Sequence, residues 1–215
     1  MTVQIQTDER SVLMDDVSWD YYTHTLDELG PTRGFRVVYY QGRMEIVTTS
    51  PKHERIRKTI ARLLEMYALE ADIPISGLGM LTLRRKKLRV GLEPDECYYV
   101  KTPPPPPIEG EVDLMVYGSP DLAIEVEISK GVIPKMPVYQ ALKVAEIWRY
   151  SSSGVTPFLR TASGEYKASK KSLSFPKLDM TAFSGFVAQA LSETEHKAVK
   201  ALQAWARTSA KRDSQ

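Results

Sequence analysis

Cysteine is almost missing from this chain: Cys97 stands alone among 215 residues. An internal disulfide and every zinc site built on cysteine pairs are therefore excluded, and a reducing, cytoplasmic setting fits. Long apolar runs are lacking too. Nowhere do about 18 apolar residues follow one another, as a membrane-spanning helix requires. The longest runs are strand-sized, such as Leu114 to Tyr117. Residues 1–10 are polar and carry Asp8 and Glu9, without the apolar centre of a signal peptide. Nor does one sign of charge dominate. Twenty-nine Lys and Arg stand against 27 Asp and Glu, leaving +2. That balance excludes a polybasic protein that holds nucleic acid by bulk charge, while leaving room for a local basic groove.

What is present reads as a soluble globular protein, 42% hydrophobic and 26% charged, of a length suited to one domain. Residues 19–29 carry a loose helical pattern stopped by Gly30-Pro31. Residues 35–40 and 43–47 read as strands of a hairpin about Gln41-Gly42. Ser50-Pro51 opens an amphipathic helix to about residue 70, with Ile56, Ile60, Leu63, Leu64 and Tyr67 on one face. Residues 74–100 are strand-like. Pro103 to Pro107 cannot continue a sheet and predict an extended polyproline loop. A buried strand over 121–128, a short helix over 133–143 and a strand over 146–150 follow. Late strands at 155–160 and 166–169 precede one or two helices over 179–207. The order predicts an α/β fold with a mixed β-sheet flanked by helices.

The strand Leu122-Ala123-Ile124-Glu125-Val126-Glu127-Ile128 alternates, so its aliphatic residues share one face and Glu125 and Glu127 the other. Side by side, two carboxylates raise one another's pKa unless a cation or water intervenes. A solvated sheet face with incidental acids accounts for them equally well. A second acidic position changes the balance. In Glu93-Pro94-Asp95-Glu96, Pro94 fixes the backbone that presents Asp95 at the mouth of the strand from Cys97 to Val100. Carboxylates on two adjacent strands suit a hard divalent cation such as Mg²⁺. Lys135, at the start of the following helix, can reach back over the carboxyl end of the strand, although an ordinary solvated lysine fits the spacing as well.

These residues resemble the Uma-type family of restriction-endonuclease-like proteins, expanded in cyanobacteria, within the PD-(D/E)XK nuclease superfamily. Five ordered pieces carry the resemblance, which runs from about Val17 to Leu178. They are Gly42-Arg43-Met44-Glu45, Ser50-Pro51-Lys52-His53-Glu54, Glu93-Pro94-Asp95-Glu96-Cys97-Tyr98-Tyr99, Pro120-Asp121-Leu122-Ala123-Ile124-Glu125-Val126 and Val144-Ala145-Glu146-Ile147-Trp148-Arg149-Tyr150. The resemblance implies a restriction-endonuclease-like core over residues 17–180, between an N-terminal tail (1–16) and a C-terminal helical extension (181–215). It implies a metal-dependent DNA endonuclease using Mg²⁺ or Mn²⁺, acting on DNA and, by analogy, as a homodimer. Asp95 and Glu125 would hold the metal, with the Val126 carbonyl as a further oxygen, and Lys135 would orient water and stabilise charge on the phosphate. Asp95→Ala would then abolish cleavage and leave the fold intact.

One departure stands out. The element's third position, usually lysine, is Glu127 here, so the lysine role shifts to Lys135, and Glu127 becomes a metal ligand or a water-positioning base. A catalytically weak nuclease-fold protein that binds DNA or a partner is the alternative. His53, at a helix N-terminus, suits a phosphate contact. Glu54 complements the helix dipole or lies near the metal. Arg84-Arg85-Lys86-Lys87 forms the densest basic patch, either a solvated hairpin tip or a phosphate contact.

Overall fold

A computed structural model describes residues 3–5, 10–30, 34–100, 112, 114–129 and 131–212. The proline run Pro103 to Pro107 lies outside the described residues.

The chain opens with β1 (Val3–Ile5), β2 (Arg10–Met14), α1 (Trp19–Leu29), β3 (Phe35–Tyr40) and β4 (Arg43–Thr48). Helix α2 (Pro51–Glu70) follows, then β5 (Ile75–Gly77), β6 (Leu83–Arg85), a 3-10 turn at Lys86–Leu88, β7 (Val90–Leu92) and β8 (Glu96–Val100). Next come α3 (Leu114–Tyr117), β9 (Leu122–Val126), α4 (Lys135–Leu142), β10 (Glu146–Ser151), β11 (Gly154–Arg160), β12 (Tyr166–Ala168), α5 (Met180–Ser192) and α6 (Glu195–Arg212).

The fold is the expected mixed α/β one, with its strands divided between two sheets. The first has the order β1-β2-β4-β3-β7-β6 and the second β12-β11-β10-β9-β8-β5. Strands β9 and β10 run parallel, joined through α4, while the other described pairs are antiparallel, which makes the second sheet the mixed one. Sequence order alone did not separate the sheets, because β3 pairs with β7 across about fifty residues, Tyr40 opposite Val90. The predicted hairpin is β3–β4, with Gln41 and Gly42 both at positive φ. Helix α2 is capped as its sequence demands: the Ser50 hydroxyl accepts from the His53 amide at 3.2 Å, and Pro51 takes the first turn.

Three differences from the sequence expectations have plain causes. Residues 10–14, expected within a tail, form β2, whose Leu13 and Met14 pair with Glu45 and Met44 of β4. A five-residue edge strand announces itself only through a partner that comes later in the chain. Leu114–Tyr117, strand-sized in sequence, is one helical turn. The C-terminal helices are no appendage. Phe183, Val187 and Leu202 share a buried cluster with Leu64 of α2 and with Ile124 and Trp148 of the second sheet. Trp205 meets Tyr67 and Phe186 at ring separations of 6.1 and 5.9 Å. Each such buried apolar side chain contributes about 1.5–3 kcal/mol, so α5 and α6 belong to the same core as the strands.

Helix α4 ties the sheets together. Val138, Tyr139 and Leu142 pack in one cluster with Val38, Leu83 and Leu92 of the first sheet and with Ala123 and Ile147 of the second. The alternation read in β9 follows from this arrangement. Leu122, Ile124 and Val126 face the α2–α5–α6 core, and Glu125 falls on the other face, toward α4.

Candidate active site

Strands β8 and β9 are antiparallel with Glu96 opposite Ile124, so extending the register by one residue sets Asp95 across from Glu125. Directly opposed residues have Cβ atoms about 4.5–5.5 Å apart. Both carboxylates are buried, 1% and 2% exposed, and both line one cavity of about 300 Å³ with His53, Lys135, Tyr139 and Arg36.

Asp95 is fixed from several sides. Its amide donates to the Ile124 carbonyl at 3.1 Å, and its Oδ2 accepts from the Val126 amide at 2.7 Å. Arg36 Nε donates to Oδ1 at 3.1 Å, and His53 Nε2 lies 3.2 Å from Oδ2. Burial pushes this carboxyl up, but His53, Lys135 and Arg36 outweigh it and hold the pKa down at about 2. Asp95 is an anion at every physiological pH.

Glu125 is held from α4. Its Oε2 is 2.5 Å from Lys135 Nζ, and its Oε1 accepts from the Tyr139 hydroxyl one helical turn later. Burial raises the Glu125 pKa, Lys135 opposes the rise and the Asp95 charge adds to it. Burial pulls the Lys135 pKa down, yet Glu125 and Asp95 prevail and lift it above its usual value. An isolated ion pair would lower the acid and raise the base. Here both rise: burial, with the Asp95 charge adding to it, outweighs Lys135 at Glu125, while two carboxylates act on the one lysine. Glu125 is therefore the first of the two to take up a proton. A lysine in the first turn of a helix also opposes the helix dipole, so its position there is held by the carboxylates rather than by local propensity.

The remaining predicted residues divide. Glu127 lies just beyond β9, exposed at the cavity rim, with Oε2 3.6 Å from Arg149 Nε. The Arg149 guanidinium rests 4.3 Å from the centre of the Phe158 ring. Val126 reaches Asp95 through its amide. His53, expected at a phosphate, is buried with its Nε2 against Asp95. Glu54 pairs with Arg36 at 3.4 Å and with Arg57 at 2.8 Å. Burial raises the Glu54 pKa, but these guanidinium groups bring it below the usual carboxylate range. Arg84, Arg85, Lys86 and Lys87 sit at the β6–β7 turn on the edge of the first sheet, and none of them lines the cavity. Cys97 is buried in β8, and burial pushes its thiol up to about 12.

Sequence reasoning missed Arg36 and Tyr139. The signal for Arg36 was a lone cation inside Phe35-Arg36-Val37-Val38-Tyr39-Tyr40; for Tyr139 it was the four-residue spacing from Lys135, which puts both on one helical face.

An α/β scaffold thus converges two buried carboxylates, a lysine, an arginine and a histidine on one cleft. Residues 19–190 match the Uma2 family, described as "Putative restriction endonuclease", and the chain belongs to that family. A crystal structure of "a putative nuclease belonging to DUF820" from Anabaena variabilis is similar. It is 15% identical with a TM-score of 0.46, covering 78% of this chain and 97% of that one. No curated protein matches. No helix among the described residues is long and apolar enough to cross a membrane.

Proposed function

We propose that the protein is a metal-dependent DNA endonuclease with its site at the Asp95–Glu125 cleft. The observation that carries this reading is that two buried carboxylates, Asp95 and Glu125, fall opposite one another at β8 and β9 and line the same cavity. Acid pairs of this kind, balanced here by Lys135, Arg36 and His53, are what a divalent cation could take over. Among the described residues no three of His, Cys, Asp and Glu gather into a metal cage. Two hard oxygen donors nevertheless fit Mg²⁺ or Mn²⁺, which keep several waters and take substrate phosphate as ligand. Asp95 and Glu125 would hold the ion, with the Val126 carbonyl as a further oxygen. Bound there, it would supply Lewis-acid polarisation of the phosphate and a more acidic water.

The side chains of this protein have their own parts. Arg36 and His53 hold Asp95 ionised and oriented. Lys135, as a cation beside Glu125, would stabilise charge developing on the phosphate. Tyr139 keeps the second Glu125 oxygen in register. Glu127 at the rim, paired with Arg149, would serve as a further ligand or as the group that positions water. Lys135 answers the replacement of the usual lysine by Glu127, which favours the enzyme over a catalytically weak DNA- or partner-binding protein. A homodimer that cuts both strands follows by analogy with other nucleases of this superfamily.

Plasmid nicking tests the proposal. Nicked and linear products are expected in Mg²⁺ or Mn²⁺ and not in excess EDTA, and are expected to disappear in Glu125→Gln. Cleavage that survives EDTA would remove the metal from the reading.

A further inference from the structure

The Gly42-Arg43-Met44-Glu45 segment lies in the first sheet, and its acid has no part in the site described above. Glu45 is 1% exposed. Its carboxylate is directed at the loop between β9 and α4, where Oε1 accepts from the Val132 amide at 3.0 Å and Oε2 from the Ile133 amide at 2.8 Å. The loop approaches so closely that a Cβ on Gly131 would sit 3.3 Å from Glu45 Oε2. Only glycine leaves that approach free. Two residues after Ile133, α4 begins at Lys135, and no side chain caps it. A buried carboxylate is costly unless hydrogen-bonded, and this one spends its acceptors on the loop that leads into the site.

We infer that Glu45 is a positioning residue, whose carboxylate clamps residues 131–133 and thereby sets Lys135 and Tyr139 against Glu125. The clamp reaches from one sheet to the other. Strand β4 belongs to the first sheet and Glu125 to the second, so the distance from Lys135 to Glu125 depends on how the sheets are joined at this loop. Without the clamp, Lys135 would leave Glu125 whenever the uncapped first turn of α4 opened. The catalytic consequence rests on the nuclease reading; the geometric one does not.

Two variants of the full chain test this. Glu45→Gln keeps the side-chain volume but turns an NH2 donor toward a backbone N–H. Gly131→Ala presses on the clamp from the loop side and serves if Glu45→Gln does not fold. The first readout is acylation of lysines by an amine-reactive ester, quantified by mass spectrometry, with exposed Lys143 as the internal reference. Loss of one buried hydrogen bond should raise Lys135 labelling about fivefold relative to Lys143. The second is plasmid nicking in Mg²⁺, where kcat should fall with KM for DNA unchanged, because Glu45 never meets the substrate. Lys135 labelling equal to that of the wild type overturns the inference, whatever happens to cleavage. A rise accompanied by new reactivity of the buried Cys97 thiol toward a maleimide also overturns it, since Glu45 would then serve the fold at large. Raised Lys135 labelling in a protein whose wild type does not nick DNA keeps the clamp and removes the nuclease reading instead.

Discussion

Asp95→Ala is the obvious knockout, and the structure assigns it a cost that sequence alone did not foresee. The substitution strands the Val126 amide, which loses an acceptor 2.7 Å away, and an unsatisfied buried donor costs about 1–3 kcal/mol. It also takes from Arg36 its 3.1 Å carboxylate partner. Breaking a buried ion pair costs about 3–5 kcal/mol when the remaining charge has no other partner. Arg36 keeps Glu54 at 3.4 Å, so the lower end applies. Against these losses, Glu125 is freed from the repulsion of Asp95 and pairs more favourably with Lys135. The net cost comes to about 3 kcal/mol, a substantial part of the 5–15 kcal/mol that stabilises a typical domain. For a chain of this size that lowers Tm by about 6–12 °C. Thermal unfolding followed by circular dichroism in EDTA, near neutral pH, measures it. Asp95→Asn, which retains an oxygen for the Val126 amide, should lose about half as much. A Tm within about 1 °C of wild type for Asp95→Ala would refute the buried network as the holder of this carboxylate. The fold of Asp95→Ala is therefore expected to stay intact but with a thinner margin, and cleavage assays belong well below the lowered Tm.

Other outcomes follow from the same contacts. The Asp95 pKa is depressed from 3.8 to about 2, so its contribution to stability is fully present above about pH 4 and fades as pH falls toward 2. The acid limb of wild-type unfolding should accordingly be steeper than that of Asp95→Asn, and identical limbs would contradict the depression. Neutralising Lys86 and Lys87 at the β6–β7 turn should leave cleavage at low salt unchanged. If the turn touches DNA, the slope of log binding constant against log salt should shrink by about 0.9 for each phosphate that is no longer neutralised; an unchanged slope marks the patch as a solvated turn. In Gly91→Ala the new Cβ would lie 2.2 Å from the Tyr22 hydroxyl oxygen, inside a buried ring pair stacked with Tyr39 at 4.6 Å. Overpacking there should cost about 1–3 kcal/mol in chemical denaturation, and a neutral substitution would show that the Tyr22 ring can move aside.

What was readable in the sequence is what is locally determined. Helix α2 announced itself through Ser50-Pro51 and five apolar residues on one face, and the hairpin through Gln41-Gly42 between β-rich runs. The alternation of β9 told which face Glu125 occupies, because side chains alternate in any strand. The ordered motifs brought Asp95, Glu125 and Lys135 into one hypothesis, and the three share a cavity. The partners of these residues were not readable. Arg36 reads as one cation in a strand, and only the crossing of sheets and α2 turns it toward Asp95. His53 reads as a helix-end residue open to anions, and only the third dimension fills the space before it with Asp95. The division into two sheets was hidden for the same reason, since strand partners separated by fifty residues leave no local trace.

The near-zero net charge, which excludes capture of DNA by bulk attraction, acquires a local counterpart at the cleft. Asp95, Glu125 and Glu127 face Arg36, Lys135 and Arg149 around one cavity. Three formal negatives meet three formal positives there, before His53 is considered. A phosphodiester entering such a site gains little from long-range attraction, because the cations are already committed at short range: Arg36 to Asp95, Lys135 to Glu125 and Arg149 to Glu127. For Lys135 to act on a phosphate, Glu125 must find another positive partner, and the same holds for Arg36 and Asp95. A divalent cation held by the two carboxylates would supply that partner and leave the basic groups free for the anion. On that logic the ion pairs of the cleft would hold the site at rest, with Lys135 of α4 freed only when Glu125 has another partner.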